Sequence, residues 1–179
     1  MTITYFVHST TLDNEAGRAT GWSDSGLSPK GRQQAEELRG FVKKRFDLVW
    51  CSDLGRAIET ATIAFAPAPI EVDWRLREID YGKFTQGLSS VVKQDLTKYI
   101  TEPFPGGESY NDVAVRMLDF LRELKKEHSG KSIALVAHQA PQLALDVILY
   151  KKSWIEAFRD DWRHTHSWQP GWEHEICSL

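Results

Sequence analysis

The chain has 179 residues, 41% hydrophobic and 26% charged, with a formal net charge of -3, a profile that excludes disorder and fits one soluble globular domain over 1–179. A chain of this length buries roughly two thirds or more of its unfolded surface, so its core needs neither a structural metal nor a disulfide framework, and Cys51 and Cys177 alone do not make one. The mildly acidic balance, with no basic run longer than Lys43-Lys44-Arg45, argues against nucleic acid as the main partner and leaves small anionic substrates open.

The opening Met-Thr-Ile-Thr-Tyr-Phe-Val-His has no positive n-region and no long apolar h-region, and no later stretch reaches membrane-spanning length, so a cytoplasmic protein without membrane attachment is expected. Residues 3–7 are a nearly continuous apolar run that predicts a buried strand ending on His8. Residues 9–27, punctuated by Gly17, Gly21, Gly26, Asp13, Asn14 and Asp24, predict a long loop, and loops of that length are usually functional. Ser28-Pro29 supplies an N-cap and an N1 proline, and Ala35, Leu38, Val42 and Phe46 recur at helical spacing, which predicts an amphipathic helix over roughly 29–45.

Residues 47–51 give a second strand, with Cys51 as a small buried hydrophobe, and Ser52-Asp53 caps a helix whose face is Ala57, Ala61 and Ala64. A third extended run over 70–74 leads into a turn-rich stretch over 78–87 and a weaker helix over 91–100, stopped by Pro103, Pro105, Gly106 and Gly107. Ser109-x-x-Asp112 has the form of a capping box and opens a helix with Val113, Met117, Leu121 and Leu124 on one stripe. Residues 132–137 predict another strand ending on a histidine, His138, and Pro141 begins an apolar helix through Leu149. This alternation predicts an α/β fold, a three-layer α-β-α sandwich with a mostly parallel central sheet. The segment 151–179 stands apart because Trp154, Trp162, Trp168 and Trp172 crowd into it; they read as aromatic anchors of the last segment, with a pocket mouth or a subunit contact as alternatives.

In open parallel sheets, ligands sit beyond the carboxyl ends of the strands. His8 and His138 both follow apolar strands and are placed to converge there, although a histidine at one strand end is by itself more often structural. Arg56 sits in the first turn of the helix after Cys51-Ser52-Asp53, where free N–H groups and a guanidinium fork make an anion site, the plainer reading being a surface salt bridge. Glu78 and Asp80 read equally as site carboxylates or as a solvated loop. His164-x-His166 with His174 has no accompanying metal-binding pattern and reads as polar surface.

These residues, taken in order, resemble the histidine phosphatase superfamily, the phosphoglycerate mutase-like proteins. His8, Asn14, Arg18, Gly21-Trp22 and Asp24 follow the family's order, as does Leu27-Ser28-x-x-Gly31-x-x-Gln34-Ala35. Cys51-Ser52-Asp53-Leu54-Gly55-Arg56-Ala57-Ile58-Glu59-Thr60-Ala61 resembles the second block, Leu76-Arg77-Glu78 the third and Pro105-Gly106-Gly107-Glu108-Ser109 the fourth, while Val136-Ala137-His138 matches the second histidine. The resemblance spans about residues 3–150.

The resemblance implies phosphoryl transfer without metal or other cofactor, through a phosphohistidine on His8. Arg56, protonated His138 and Asn14 are expected to stabilise the phosphoryl oxygens, and Glu78, with a carboxyl pKa raised toward neutrality, to exchange the proton of the leaving group. Ser9, Asn14, Arg18, Thr20 and Gln139 are the expected substrate-binding residues, and a small phosphorylated metabolite the expected partner of a monomer or homodimer. The family pattern is broken at Val7, where an arginine stands in the family, and at Ser9, Thr20 and Gln139. Arg18 or Lys30 is a candidate to replace the arginine, and a site rebuilt around the hydroxyls of Ser9, Thr10 and Thr11 is a second possibility. A phospho-ligand binding module without turnover is the alternative to a phosphatase. A phosphoglycerate mutase is disfavoured, because only 26 residues separate Glu78 from Pro105 and leave little chain to cover the site.

Overall fold

The computed structural model describes residues 1–165, 167, 169–177 and 179. The elements in chain order are β1 (Thr2–Val7), α1 (Leu12–Glu15), α2 (Pro29–Phe41), β2 (Leu48–Cys51), α3 (Gly55–Phe65), β3 (Ile70–Val72), α4 (Ser89–Val92), α5 (Tyr110–Glu127), β4 (Ser132–Ala137), α6 (Gln139–Tyr150), α7 (Trp154–Arg159), α8 (Trp162–Thr165) and β5 (Trp172–Glu175). The sheet runs β3-β2-β4-β1-β5, parallel except for β5, which pairs antiparallel with β1 at the edge. This is the mostly parallel sheet of an α/β sandwich that the alternation predicts.

Alternation along each strand builds two cores. Ile3, Tyr5, Ile133, Leu135 and Ala137 face Val113, Met117 and Leu121 of α5 and Ala144 of α6. Phe6, Val49, Cys51, Ala134 and Val136 face Leu38 of α2 and the Ala57, Ala61 and Ala64 stripe of α3, whose small side chains let that helix lie close to the sheet. Cys51 is fully buried, and burial pushes its thiol up to about 12, so it is inert.

Several expected boundaries move. The 9–27 segment carries α1, one turn fastened by a reciprocal capping box between Thr11 and Asn14 and too short to show apolar periodicity. Helix α2 ends at Phe41, where Val42 turns to an extended conformation as the C-cap, four residues short of the expected end. The extended run over 70–74 stops at Val72, because the Asp73 side chain caps a 3-10 turn, Trp74–Leu76. The helix expected over 91–100 is instead α4 and a separate 3-10 turn, Leu96–Tyr99, where Asp95 Oδ1 accepts from Thr97 N at 3.2 Å and competes with helix continuation.

The last segment returns to the sheet. Trp154 is buried against the rings of Tyr110 and Phe158, at centroid distances of 5.1 and 5.8 Å, and Trp162 stacks on Trp172 at 5.6 Å. His174 is not polar surface: it lies on β5, buried, with Nδ1 2.9 Å from the Tyr150 hydroxyl. Its pairing opposite Ile3 draws it inward, a contact that local pattern does not encode. His164 is exposed, whereas His166 and Trp168 lie outside the described residues.

Two glycine-bearing turns pack backbone to backbone. Gly82 has φ +51°, and a Cβ there would meet the Pro105 carbonyl oxygen at 2.3 Å, while one on Gly107 would meet the Asp80 carbonyl oxygen at 2.2 Å. The Pro105-Gly106-Gly107 turn is thereby seated on the loop that carries Glu78. Gly82→Ala combines a left-handed backbone with this clash and is expected to cost about 2–4 kcal/mol, read as a lower denaturant midpoint at unchanged slope.

Candidate active site

The register of the central strands sets the site. Val7 pairs with Ala137, and His8 N donates to the Ala137 carbonyl at 2.9 Å, so His8 and His138 leave adjacent strands at the same level. Their rings lie 5.0 Å apart between centroids. His8 Nδ1 is 2.7 Å from the Ser9 carbonyl oxygen. A carbonyl only accepts, so Nδ1 carries the proton and, in the neutral ring, Nε2 keeps its lone pair. Ser9 is fixed in turn: its N–H donates to Thr60 Oγ1 at 3.0 Å, on α3.

His138 is fully buried and stands at the N-cap of α6 without capping it. Among the described residues, neither of its ring nitrogens has a hydrogen-bond partner, although its main chain is clamped by the Tyr5 hydroxyl, which donates to its carbonyl at 2.8 Å. Glu78 takes over the capping role from outside the helix. Its Oε1 accepts from Ala140 N and Ile79 N, both at 2.9 Å, and its Oε2 accepts from Gln139 N at 3.2 Å. The Glu78 backbone is braced as well: its carbonyl accepts from Trp22 Nε1 at 2.7 Å and from Arg116 Nη2 at 3.1 Å, and Arg116 is held by Glu108 at 2.8 Å.

A pocket of about 260 Å³ opens on these groups, lined by Val7, His8, Thr10, Asn14, Glu78, Lys93, Gln139, Trp162 and Arg163. A second cavity of about 500 Å³ adjoins it over Val7, His8, Thr10 and Trp162 and continues along Gln34, Glu37 and Leu38. Of the residues expected from sequence, His8, Glu78, Asn14 and Gln139 line the first pocket, and Ser9 the second. His138 lies beneath the floor. Arg56 is buried and donates Nη1 to the Ser23 carbonyl at 3.0 Å and Nη2 to the Gly21 carbonyl at 2.7 Å, so it braces the 21–23 loop and does not line the pocket. Arg18 is exposed on the Gln86 carbonyl at 2.8 Å, Thr20 is buried away from the lining, and Lys30 is exposed on α2.

Sequence reasoning missed Lys93 and Arg163. Lys93 sits in a weakly periodic stretch where its charge reads as solvated, and Arg163 lies beyond the recognisable blocks, so no local signal marks either. Trp162 is the one that the tryptophan cluster offered for a pocket mouth.

The charge states differ from those the family chemistry suggests. Burial, followed by the Arg56 charge, pushes His8 down to about 4. Burial, with Arg56 and His8 adding to it, holds His138 well below the usual imidazole range, so it is neutral here and not protonated. For Glu78 burial pushes upward, but the Lys93 charge and the N–H donors of Ala140 and Ile79 outweigh it and hold the carboxyl below its ordinary value, contrary to the expected rise. Among the described residues, no three His, Cys, Asp or Glu side chains gather as metal ligands.

Residues 5–170 match the sequence model described as histidine phosphatase superfamily (branch 1), some twenty residues past the point where the motifs fade. Phosphoserine phosphatase 1 of Hydrogenobacter thermophilus is 31% identical over 149 residues, covering 77% of this chain and 71% of that protein. The mycobacterial glucosyl-3-phosphoglycerate phosphatase complexed with VO3 superposes with a TM-score of 0.79 at 28% identity, over 87% of this chain and 85% of that one. The alpha-ribazole phosphatase from Shigella flexneri gives a TM-score of 0.77 at 23% identity, over 89% and 84% of the chains, a likeness of fold alone.

Two neutral imidazoles, His138 fully buried and His8 half-buried, make stability depend on pH. The unfolded chain takes up protons on them near the ordinary value of 6.5, whereas folded His8 does so only near 4 and His138 resists protonation too. Their full contribution is therefore present above pH 6.5 and is lost as pH falls toward 4, by up to about 1.4 kcal/mol per pH unit for each histidine. The melting temperature is expected to drop between pH 7 and pH 5, and His138→Gln to flatten that slope; an unchanged slope would contradict the assignment.

Proposed function

Because this chain belongs to the histidine phosphatase superfamily, we propose that it is a phosphatase that hydrolyses a small phosphomonoester, without metal, through a phosphohistidine on His8. The observation that carries this reading is the His8 ring itself: a neutral imidazole whose Nδ1–H is tied to the Ser9 carbonyl presents a lone pair on Nε2 beside buried His138 and Glu78. Nε2 attacks phosphorus, the N–P bond forms and the ester P–O bond breaks. Water then attacks the phosphohistidine, and cleavage of the N–P bond releases inorganic phosphate.

A bound phosphoryl dianion reverses the local electrostatics. Its negative charge favours protonation of both His138 and Glu78. The unpartnered ring nitrogens of His138 then supply a donor to a phosphoryl oxygen, which gains charge in the transition state. Glu78 delivers its proton to the departing alkoxide and recovers one from the attacking water. The low value of Glu78 in the empty site is thus the resting half of a cycle.

Hydrolysis is preferred to group transfer because the chain between Glu78 and Pro105 is short and holds only α4 and 3-10 turns as regular structure. The protein is expected to release phosphate from p-nitrophenyl phosphate in the presence of a chelator. His8→Ala is expected to abolish that release, and Glu78→Gln to slow it about 10²–10⁴-fold; undiminished hydrolysis by His8→Ala would sink the mechanism. A wild-type protein that turns over no member of a phosphomonoester panel, yet melts higher with inorganic phosphate, would be a binding module.

A further inference from the structure

A phosphoryl dianion entering a pocket of about 260 Å³ loses much of its hydration and needs fixed positive charge in return. Val7, in the pocket lining, presents none, and Arg56, whose charge reaches both histidines, donates an N–H from each Nη to the Ser23 and Gly21 carbonyls and does not line the pocket. His8 and His138 are neutral in the empty site. Among the described residues, the cationic side chains that line the pocket are Lys93, just after α4, and Arg163, in α8 of the tryptophan-rich segment.

These two are joined by a continuous run of hydrogen bonds. Lys93 Nζ donates to Gln139 Oε1 at 2.5 Å, Gln139 Nε2 donates to Asp161 Oδ2 at 2.5 Å, and Asp161 Oδ1 accepts from Arg163 Nη1 at 2.9 Å and from its backbone N at 3.0 Å. Asp161 is buried, with 4% of its surface exposed, so the run is built into the fold and is not a surface accident. The second contact of the Arg163 guanidinium, with Gln142 Oε1 at 3.3 Å, also leaves from Nη1. The guanidinium lies over the Trp162 ring at 4.4 Å, and among the described residues its side-chain hydrogen bonds leave from Nη1, so Nη2 and Nε face an anion without a competing partner there.

We propose that Lys93 and Arg163 form the phosphoryl clamp of this site, oriented by Gln139 and Asp161, and that α8 thereby completes the pocket. The inference rests on the phosphatase reading for its catalytic consequence but not for its binding consequence. The clamp supplies the charge that Val7 lacks. Gln139 links the two ends, contributing an amide oxygen to one cation and an amide N–H to the carboxylate that holds the other.

Lys93→Gln and Arg163→Gln remove the charge and leave a shorter polar side chain, and far-UV circular dichroism with melting in phosphate-free buffer establishes that each is folded. Each is expected to lower kcat/KM for p-nitrophenyl phosphate, which has no second anionic group, by about 10²-fold, with kcat falling as well as KM rising. Arg163→Lys is expected to recover part of the loss. Inorganic phosphate is expected to raise the melting temperature of the wild type and to raise it much less in either glutamine variant.

Folded variants that keep both the phosphate-induced rise and a kcat/KM within threefold of wild type would overturn the clamp and leave the phosphohistidine untouched. Losses confined to a carboxylate-bearing phosphomonoester, with aryl phosphate and inorganic phosphate unaffected, would overturn it too, because the pair would then read the leaving group. A wild type that hydrolyses nothing, but loses phosphate protection on either substitution, would uphold the clamp and refute the phosphatase. If the glutamine variants do not fold, Lys93→Met and Arg163→Met carry the same comparison, and wild-type melting unaffected by phosphate rejects the clamp without any variant.

Discussion

Strands β1 and β4 pair residue for residue, Val7 opposite Ala137, so two histidines leave the sheet side by side, His138 fully buried and His8 half-buried in the pocket lining. Desolvation makes the rings neutral, and neutrality is what a nitrogen nucleophile requires. A one-residue slip in that pairing would separate the rings and turn every β1 side chain to the wrong core. The two hydrophobic layers therefore do more than stabilise the domain: by fixing register, they fix where His8 and His138 stand.

Glu78 joins the rest to this pair. Because His138 turns its side chain away from the helix end, α6 begins with free N–H groups, and the buried carboxylate receives them. One interaction thus satisfies a helix terminus, compensates a buried charge and holds the Glu78 carboxylate at the pocket. The Pro105-Gly106-Gly107 turn, Glu108 and Arg116 serve this arrangement from behind, the turn through backbone contact with Asp80–Gly82 and Arg116 through the Glu78 carbonyl. Cationic side chains that look catalytic in sequence have divided their work. Arg56 supports a loop while its charge acts on both histidines, whereas Lys93 and Arg163 line the pocket itself.

Much of the fold was legible because its strands are short apolar runs ending on histidine and its helices carry caps and stripes that need no tertiary help. The helix over 29–41 opens on Ser28-Pro29, and the one over 110–127 on Ser109 and Asp112, and both begin where those residues place them. Boundaries failed where a side chain competes locally with the backbone, at Asp73 and Asp95. His8, Glu78 and His138 were visible because each is fixed by its strand or by a motif block. Lys93 and Arg163 were not, since their importance comes from facing a pocket that residues 85 and 155 positions earlier in the chain begin to form.

The sequence by itself determined the family, the α/β alternation, the two strand-end histidines and the absence of an arginine before the first of them, because each is a matter of residue type at short range. Only the tertiary structure decided what charge surrounds those histidines. Burial turned His138 neutral, backbone N–H groups and Lys93 held Glu78 ionised, and β5 and α8 brought a distant arginine against the site. Charge state depends on solvent exclusion and on neighbours across the fold, and neither is written in the order of residues along the chain.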